Sequence, residues 1–181
     1  MTTPDTTLLR TSLDQFATLA GEVTDDTVGN PTPCSDWTVG DLVDHVTATT
    51  AKFADGLRGG EVDWSAAPTA SEDRAAAFRA AGDDLVAAWH EAGDDVKGPG
   101  QDWHLAELAV HTWDLATGLG RPTGGFDQQV AETGLAFMEA NLKDEMRSHA
   151  FAPKQPAPDR ADAYGRIAAF AGRRVEADPQ S

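Results

Sequence analysis

Cysteine, basic side chains and long apolar runs are all scarce in this sequence, and each scarcity removes a class of protein. The single cysteine, Cys34, cannot form an internal disulfide, so the fold is expected to rest on an apolar core rather than on covalent staples. The N-terminal MTTPDTTLLR has neither the charged nor the apolar region of a signal peptide, which makes the cytoplasm the expected location. Every helix-like segment is interrupted by Asp, Glu, Arg or Gly, so no apolar run approaches the roughly 18 residues of a membrane span. Lys and Arg number 14 against 30 Asp and Glu, a formal net charge of -16. A phosphate backbone would be repelled, so no nucleic-acid partner is expected, and anionic membrane surfaces are disfavoured for the same reason.

What is present is Ala and Leu in long stretches with few β-branched clusters, in a chain 40% hydrophobic and 24% charged. That composition reads as an all-α protein. A chain of 181 residues can bury one continuous core, and with no internal repeat it is expected to form one domain over residues 1–181. Leu9, Leu13, Phe16 and Ala20 recur at spacings of three and four and predict a first helix from Thr7 to about Val23. The loop TDDTVGNPTPCSD follows, then a helix start at which Thr38 and Asp41 form a capping box and Trp37 and Leu42 a hydrophobic staple. This second helix runs through His45 and Phe53 to Leu57, before Gly59 and Gly60.

Ser71 is expected to cap a third helix with Phe78, Leu85 and Trp89 on one face, stopped by Gly93. The VKGPG loop leads to a fourth helix from about Gln101 to Thr117, and a fifth is expected from about Asp127 to Lys143 with Val130, Gly134, Phe137 and Asn141 along one stripe. After the proline-rich FAPKQPAP, a short last helix over about Ala161 to Ala171 turns Tyr164, Ile167 and Phe170 inward.

Glu107 and His111 are four residues apart in AELAVHTWDLA, so on a helix they differ by only about 40° around the axis and both can reach one ion. His45 lies on another helix whose inward face is otherwise apolar, and packing the two helices together brings a third ligand to the same point. Two nitrogens and a carboxylate match a zinc site with an open position; nickel, iron and manganese accept the same donors. The same Glu and His spacing also describes an ordinary solvated helix pair. Asp41 and Asp114 are each placed to orient a ligand, though Asp41 is already accounted for as a cap.

His104 precedes His111 by seven residues and reads either as a fourth ligand or proton donor, or as an exposed residue of the first helical turn. His90 and His149 read as surface residues. Cys34 sits beside Asp36, with no neighbouring base or positive charge, and reads as a packed or loop thiol. Trp37 and Trp89 fit packing roles, while Trp103 and Trp113 flank the ligand helix.

TPCSDWTVGDLVDHV, AELAVHTWDLATGLGRP and the terminal RIAAFAGRR together resemble the mycothiol-dependent maleylpyruvate isomerase type of metal-binding protein, within the DinB-like superfamily. The resemblance implies a four-helix bundle with one long crossover, to which the short C-terminal helix is extra. It implies that His45, Glu107 and His111 hold a divalent metal, usually zinc, and that mycothiol, the low-molecular-weight thiol of actinobacteria, is a cosubstrate. Isomerases of this type carry a further C-terminal domain, whereas this chain is expected to be a short member, acting as a thiol S-transferase or isomerase on another electrophile. The expected partners are a small-molecule thiol and an electrophilic substrate. Two other readings use the same three ligands: hydrolysis by metal-activated water, which needs a nearby base such as His104 or an Asp, and a noncatalytic module pinned by a closed four-ligand shell.

Overall fold

In a computed structural model the chain is described over residues 4–34, 37–93, 96, 100–147 and 151–176. Six α-helices follow in order: α1 (Thr7–Ala20), α2 (Val39–Leu57), α3 (Arg74–Ala92), α4 (Gln101–Gly118), α5 (Gln128–Asn141) and α6 (Ala163–Phe170), with a 3-10 turn at Asp144–Met146 before α6. Among the described residues there is no strand, only an isolated antiparallel bridge between Pro31 and Thr38. The all-α expectation is met. His149, Asp36 and residues 97–99 of the VKGPG loop lie outside the described residues.

Local chemistry sets most of the boundaries. Thr38 caps α2 by accepting from the Asp41 amide, and the Asp41 carboxylate accepts from the Thr38 amide, the reciprocal box expected there. The first helix is shorter than expected, because the chain leaves it at Gly21. At α3 the cap is Asp73, whose carboxylate accepts from the Ala76 amide, and not Ser71. Ser71 is diverted: its amide donates to Asp44 on α2 and its hydroxyl to the Asp73 carbonyl. Gly93 ends α3 with φ +57°, a conformation that would strain any side chain.

Ion pairs reveal the helix directions. Arg74 at the start of α3 pairs with Asp44 near the start of α2, and Arg58 just past the end of α2 pairs with Asp84 and Glu91 on α3. The two helices are therefore parallel neighbours, so residues 58–73 must carry the chain back along the bundle. That is the long crossover. In contrast α1 and α3 are antiparallel: Thr6 meets His90 at one end, and Arg79 reaches the Ala17 carbonyl toward the other.

One apolar cluster fills the bundle of α1 to α4, with Leu9, Phe16, Leu42, Val43, Val46, Phe78 and Leu85 at its centre. A second joins α4 to α5 and α6 through Leu105, Ala109, Val130, Tyr164 and Ile167. Helix α4 serves both, so it is buried nearly all round rather than along one stripe. Close packing of α5 on α4 needs Gly134, where an added Cβ would stand 2.8 Å from the Ala106 Cα. The buried stripe of α5 is Val130, Gly134 and Met138. Phe137 and Asn141, expected on that stripe, are rotated off it and line a cavity instead.

Candidate metal centre

The capping box fixes where α2 begins, and two turns later the helix presents His45 toward α4. From α4, Glu107 and His111 project one turn apart on the facing side. Glu107 Oε1 stands 3.6 Å from His45 Nε2 and 3.4 Å from His111 Nε2. Each of the three residues offers a ligand atom, and these atoms all lie within 4.8 Å of one another. Two imidazoles and a carboxylate at these separations fit one divalent ion after only small side-chain adjustment.

His111 is held from behind. Its Nδ1 lies 3.1 Å from Asp114 Oδ2; a carboxylate can only accept, so Nδ1 carries the proton and Nε2 is left for the site. Asp114 is completely buried and is itself gripped by Arg173, whose Nε and Nη2 donate to its two oxygens at 3.1 and 2.8 Å. Arg173 lies just after α6, so the C-terminal segment reaches back to brace His111 on α4 through Asp114. The expectation that Asp114 orients His111 matches this geometry. Asp41 stays in its cap, bonded to Thr38. Trp37 packs on the bundle core and lays its ring 4.1 Å from that of His45 and 5.9 Å from that of His111, sheltering the site from one side.

Without an ion the cluster balances its own charge. Burial pushes the Glu107 carboxyl upward, but the His111 and His45 imidazoles outweigh it and hold the group below the usual carboxylate range. Burial likewise pulls the His111 imidazole down, and the Glu107 and Asp114 carboxylates outweigh it, raising His111 to about 9. The ion-free site at neutral pH thus has a proton on His111.

His104 does not join the cluster. It points into an aromatic nest, its ring 4.1 Å from that of Phe53 and 5.6 Å from that of Trp89, and it is 4% exposed. Nor is it the solvated first-turn residue that its position suggests; its Nδ1 is buried without a hydrogen-bond partner in the structure, and burial lowers its pKa to about 4. Cys34 lies at the cavity edge within the field of Arg173, so a positive charge that local sequence does not reveal is supplied from the other end of the chain. It is outside the group of atoms within reach of one ion.

Beside the cluster opens a cavity of about 540 Å³, with His45, Glu107, His111, Cys34 and Arg173 on one wall and Val110, Phe137, Met138, Leu142 and Phe151 among the apolar residues of the rest. Arg173 and the far wall went unassigned in the sequence, because only folding brings α5 and the C-terminal segment against α4.

Fold and cluster together define a helical-bundle protein that gathers two imidazoles and a carboxylate at the mouth of an apolar cavity. The family described as the mycothiol maleylpyruvate isomerase N-terminal domain matches residues 9–116. The chain belongs to that family, and the matched stretch contains all three residues of the cluster. Two proteins of Mycobacterium tuberculosis, the uncharacterized protein Rv0738 of strain ATCC 25618 / H37Rv and the uncharacterized protein MT0763 of strain CDC 1551 / Oshkosh, are each 30% identical to it over 179 residues, covering 90% of this chain and 93% of the relative. No solved structure matches. No helix among the described residues is long and apolar enough to cross a membrane.

Proposed function

We propose that this chain is a divalent-metal-dependent thiol transferase or isomerase, with His45, Glu107 and His111 as the metal ligands and zinc as the preferred ion. The carrying observation is the convergence of three ligand atoms within 4.8 Å at the mouth of a cavity large enough for a small-molecule thiol. When bound, the ion supplies a Lewis acid with an open position at which a thiol is held as thiolate near neutral pH. The chain's own residues do the rest. Asp114 and Arg173 fix the His111 tautomer, Trp37 shields the imidazoles, and the apolar wall from Val110 to Phe151 keeps water from the reacting groups. Mycothiol is the thiol that the family points to.

Hydrolysis ranks below this reading because its general base is missing among the described residues: His104 is turned into the core, and Asp114 is committed to His111 and Arg173. A closed structural site ranks lower still, since three described side chains form the group and not four.

The test has two stages. Protein purified without chelators should retain close to one divalent ion per chain by elemental analysis, and His111→Ala should lose most of it; full occupancy in that variant removes the assignment. Metal-edge X-ray absorption should then gain a sulfur neighbour on addition of mycothiol to Cys34→Ser protein, with glutathione and bacillithiol as comparisons. Absence of sulfur scattering with all three thiols at millimolar concentration would overturn the thiol chemistry.

A further inference from the structure

Two cavities meet at His45, Trp103 and Glu107. Besides the large one, a smaller cavity of about 220 Å³ lies between α2, α4 and the crossover segment, and it is lined by Thr49, Lys52, Phe53 and Trp64 together with those three residues. Helix geometry builds it. His45, Thr49 and Lys52 follow one another at spacings of four and three on a single face of α2, and Trp103 and Glu107 stand one turn apart on α4. The crossover then folds over this trough and contributes Trp64.

Lys52 is held in an unusual way for a cation in so acidic a chain. Its Nζ donates to the Ala66 carbonyl at 2.9 Å and to the Trp64 carbonyl at 3.5 Å, bonds that fasten the crossover and leave one N–H of the ammonium over. Its field reaches Asp63, but that carboxylate is engaged by the Ser65 amide and hydroxyl. The carboxylate that lines the small cavity, Glu107, is already matched by two imidazoles.

The walls are aromatic. Phe53 stands edge-on to Trp103 with ring centres 4.8 Å apart, and Trp64 lies 6.3 Å from Trp103. Among the described residues, Trp64 and Trp103 are the large hydrophobic residues left exposed, at 53% and 38%. Flat apolar faces left open to solvent beside a single available positive charge specify a ligand with both properties.

We propose that the smaller cavity binds an aromatic ring carrying one negative charge, its face against Trp64 and Trp103 and its anionic group on the Lys52 ammonium. The role assigned to this ligand, the electrophilic co-substrate, rests on the thiol-dependent reading above; the binding site itself does not. The two reactants then enter by separate cavities and come together at His45 and Glu107.

Benzoate is the probe, with benzyl alcohol and benzylamine as neutral and cationic comparisons. They are titrated into EDTA-treated full-length protein, so that no carboxylate can bind through a metal, and the tryptophan indole N–H resonances are followed. Benzoate should shift two indole signals saturably, assigned to Trp64 and Trp103 by Trp64→Phe and Trp103→Phe, while the comparisons bind at least about tenfold more weakly. Lys52→Gln should weaken benzoate about tenfold, as expected for loss of a charged hydrogen bond, with Lys52→Arg keeping most of the affinity and both variants keeping the metal content of the parent. Equal binding of benzyl alcohol, indifference to Lys52→Gln, shifts confined to residues of the larger cavity, or no saturable shift at tens of millimolar benzoate would each overturn the site. Failure of the metal assay with benzoate binding intact would remove the co-substrate role alone.

Discussion

His104 makes the protein sensitive to mild acid by a route separate from the metal cluster. Its ring is buried among Phe53, Trp89 and Trp103, and burial lowers its pKa from 6.5 to about 4. The unfolded chain therefore takes up a proton here that the native state refuses. Above about pH 6.5 both states are neutral and nothing is lost; as pH falls from there toward 4 the native state becomes progressively less stable, by about 3 kcal/mol in full. Between pH 7 and pH 5 the loss is about 2 kcal/mol. His111 acts in the opposite direction, because it is raised to about 9, and its contribution is common to any pair of proteins that differ only at residue 104. Urea denaturation of parent and His104→Leu protein, both in EDTA so that metal release does not intrude, should show the pH 7 to pH 5 loss shrinking by about 2 kcal/mol in the variant. Parallel stability curves for the two proteins across that interval would refute the buried neutral imidazole.

Metal uptake at pH 7.5 should release about one proton, since His111 holds one in the ion-free site and must give it up as a ligand; calorimetry in buffers of different ionisation enthalpy measures it, and zero release contradicts the raised His111. Arg173→Met should cost roughly 3 kcal/mol, because the buried Asp114 carboxylate loses its guanidinium and keeps only His111 as a partner, and should weaken metal binding about tenfold or more as the brace behind His111 loosens; urea melts and metal titration read the two effects. Gly134→Val should cost about 1 to 3 kcal/mol, as α5 is pushed off α4. Chelation should lower the melting temperature modestly without unfolding the chain, because two apolar clusters remain to hold the helices together; complete unfolding on chelation would assign the ion a structural role.

What could be read from the sequence was mostly local. The capping box at Thr38 and Asp41 needs only four residues, and it set the start of α2 and hence the direction of His45 correctly. The Glu107 and His111 spacing likewise needs only one helical turn. The cap of α3 went to Asp73 and not Ser71 because Asp44, 27 residues earlier, recruits the Ser71 amide. His104 looked exposed because sequence rules assume that a helix has one wet face, and α4 has hardly any. The stripe of α5 was misplaced by one residue, Phe137 for Met138, because the two are adjacent and both apolar, and packing leaves Phe137 only partly buried. Neither Arg173, although it lies in the terminal RIAAFAGRR, nor Lys52 was read as part of a site. Lys52 shares the helical face of His45 and could have been noticed on that ground, but Arg173 comes to Asp114 across 59 residues of chain.

The position of α4 between two apolar clusters divides the cavity between two stretches of the chain. Residues 9–116, the stretch matched to the family, provide all three side chains of the candidate metal cluster and end within α4. Phe137, Met138, Leu142 and Phe151, which come after that stretch, line the cavity with them, as does Arg173. The three-residue cluster is thereby faced by a cover drawn from α5 and the C-terminal segment. Substitutions in that cover can alter which molecule fits, its bulk and its polarity, while leaving the ion-holding geometry alone, with Arg173 the exception because it is fastened to both. On the proposed function, the residues that set which molecule fits are in this way largely distinct from those that hold the ion.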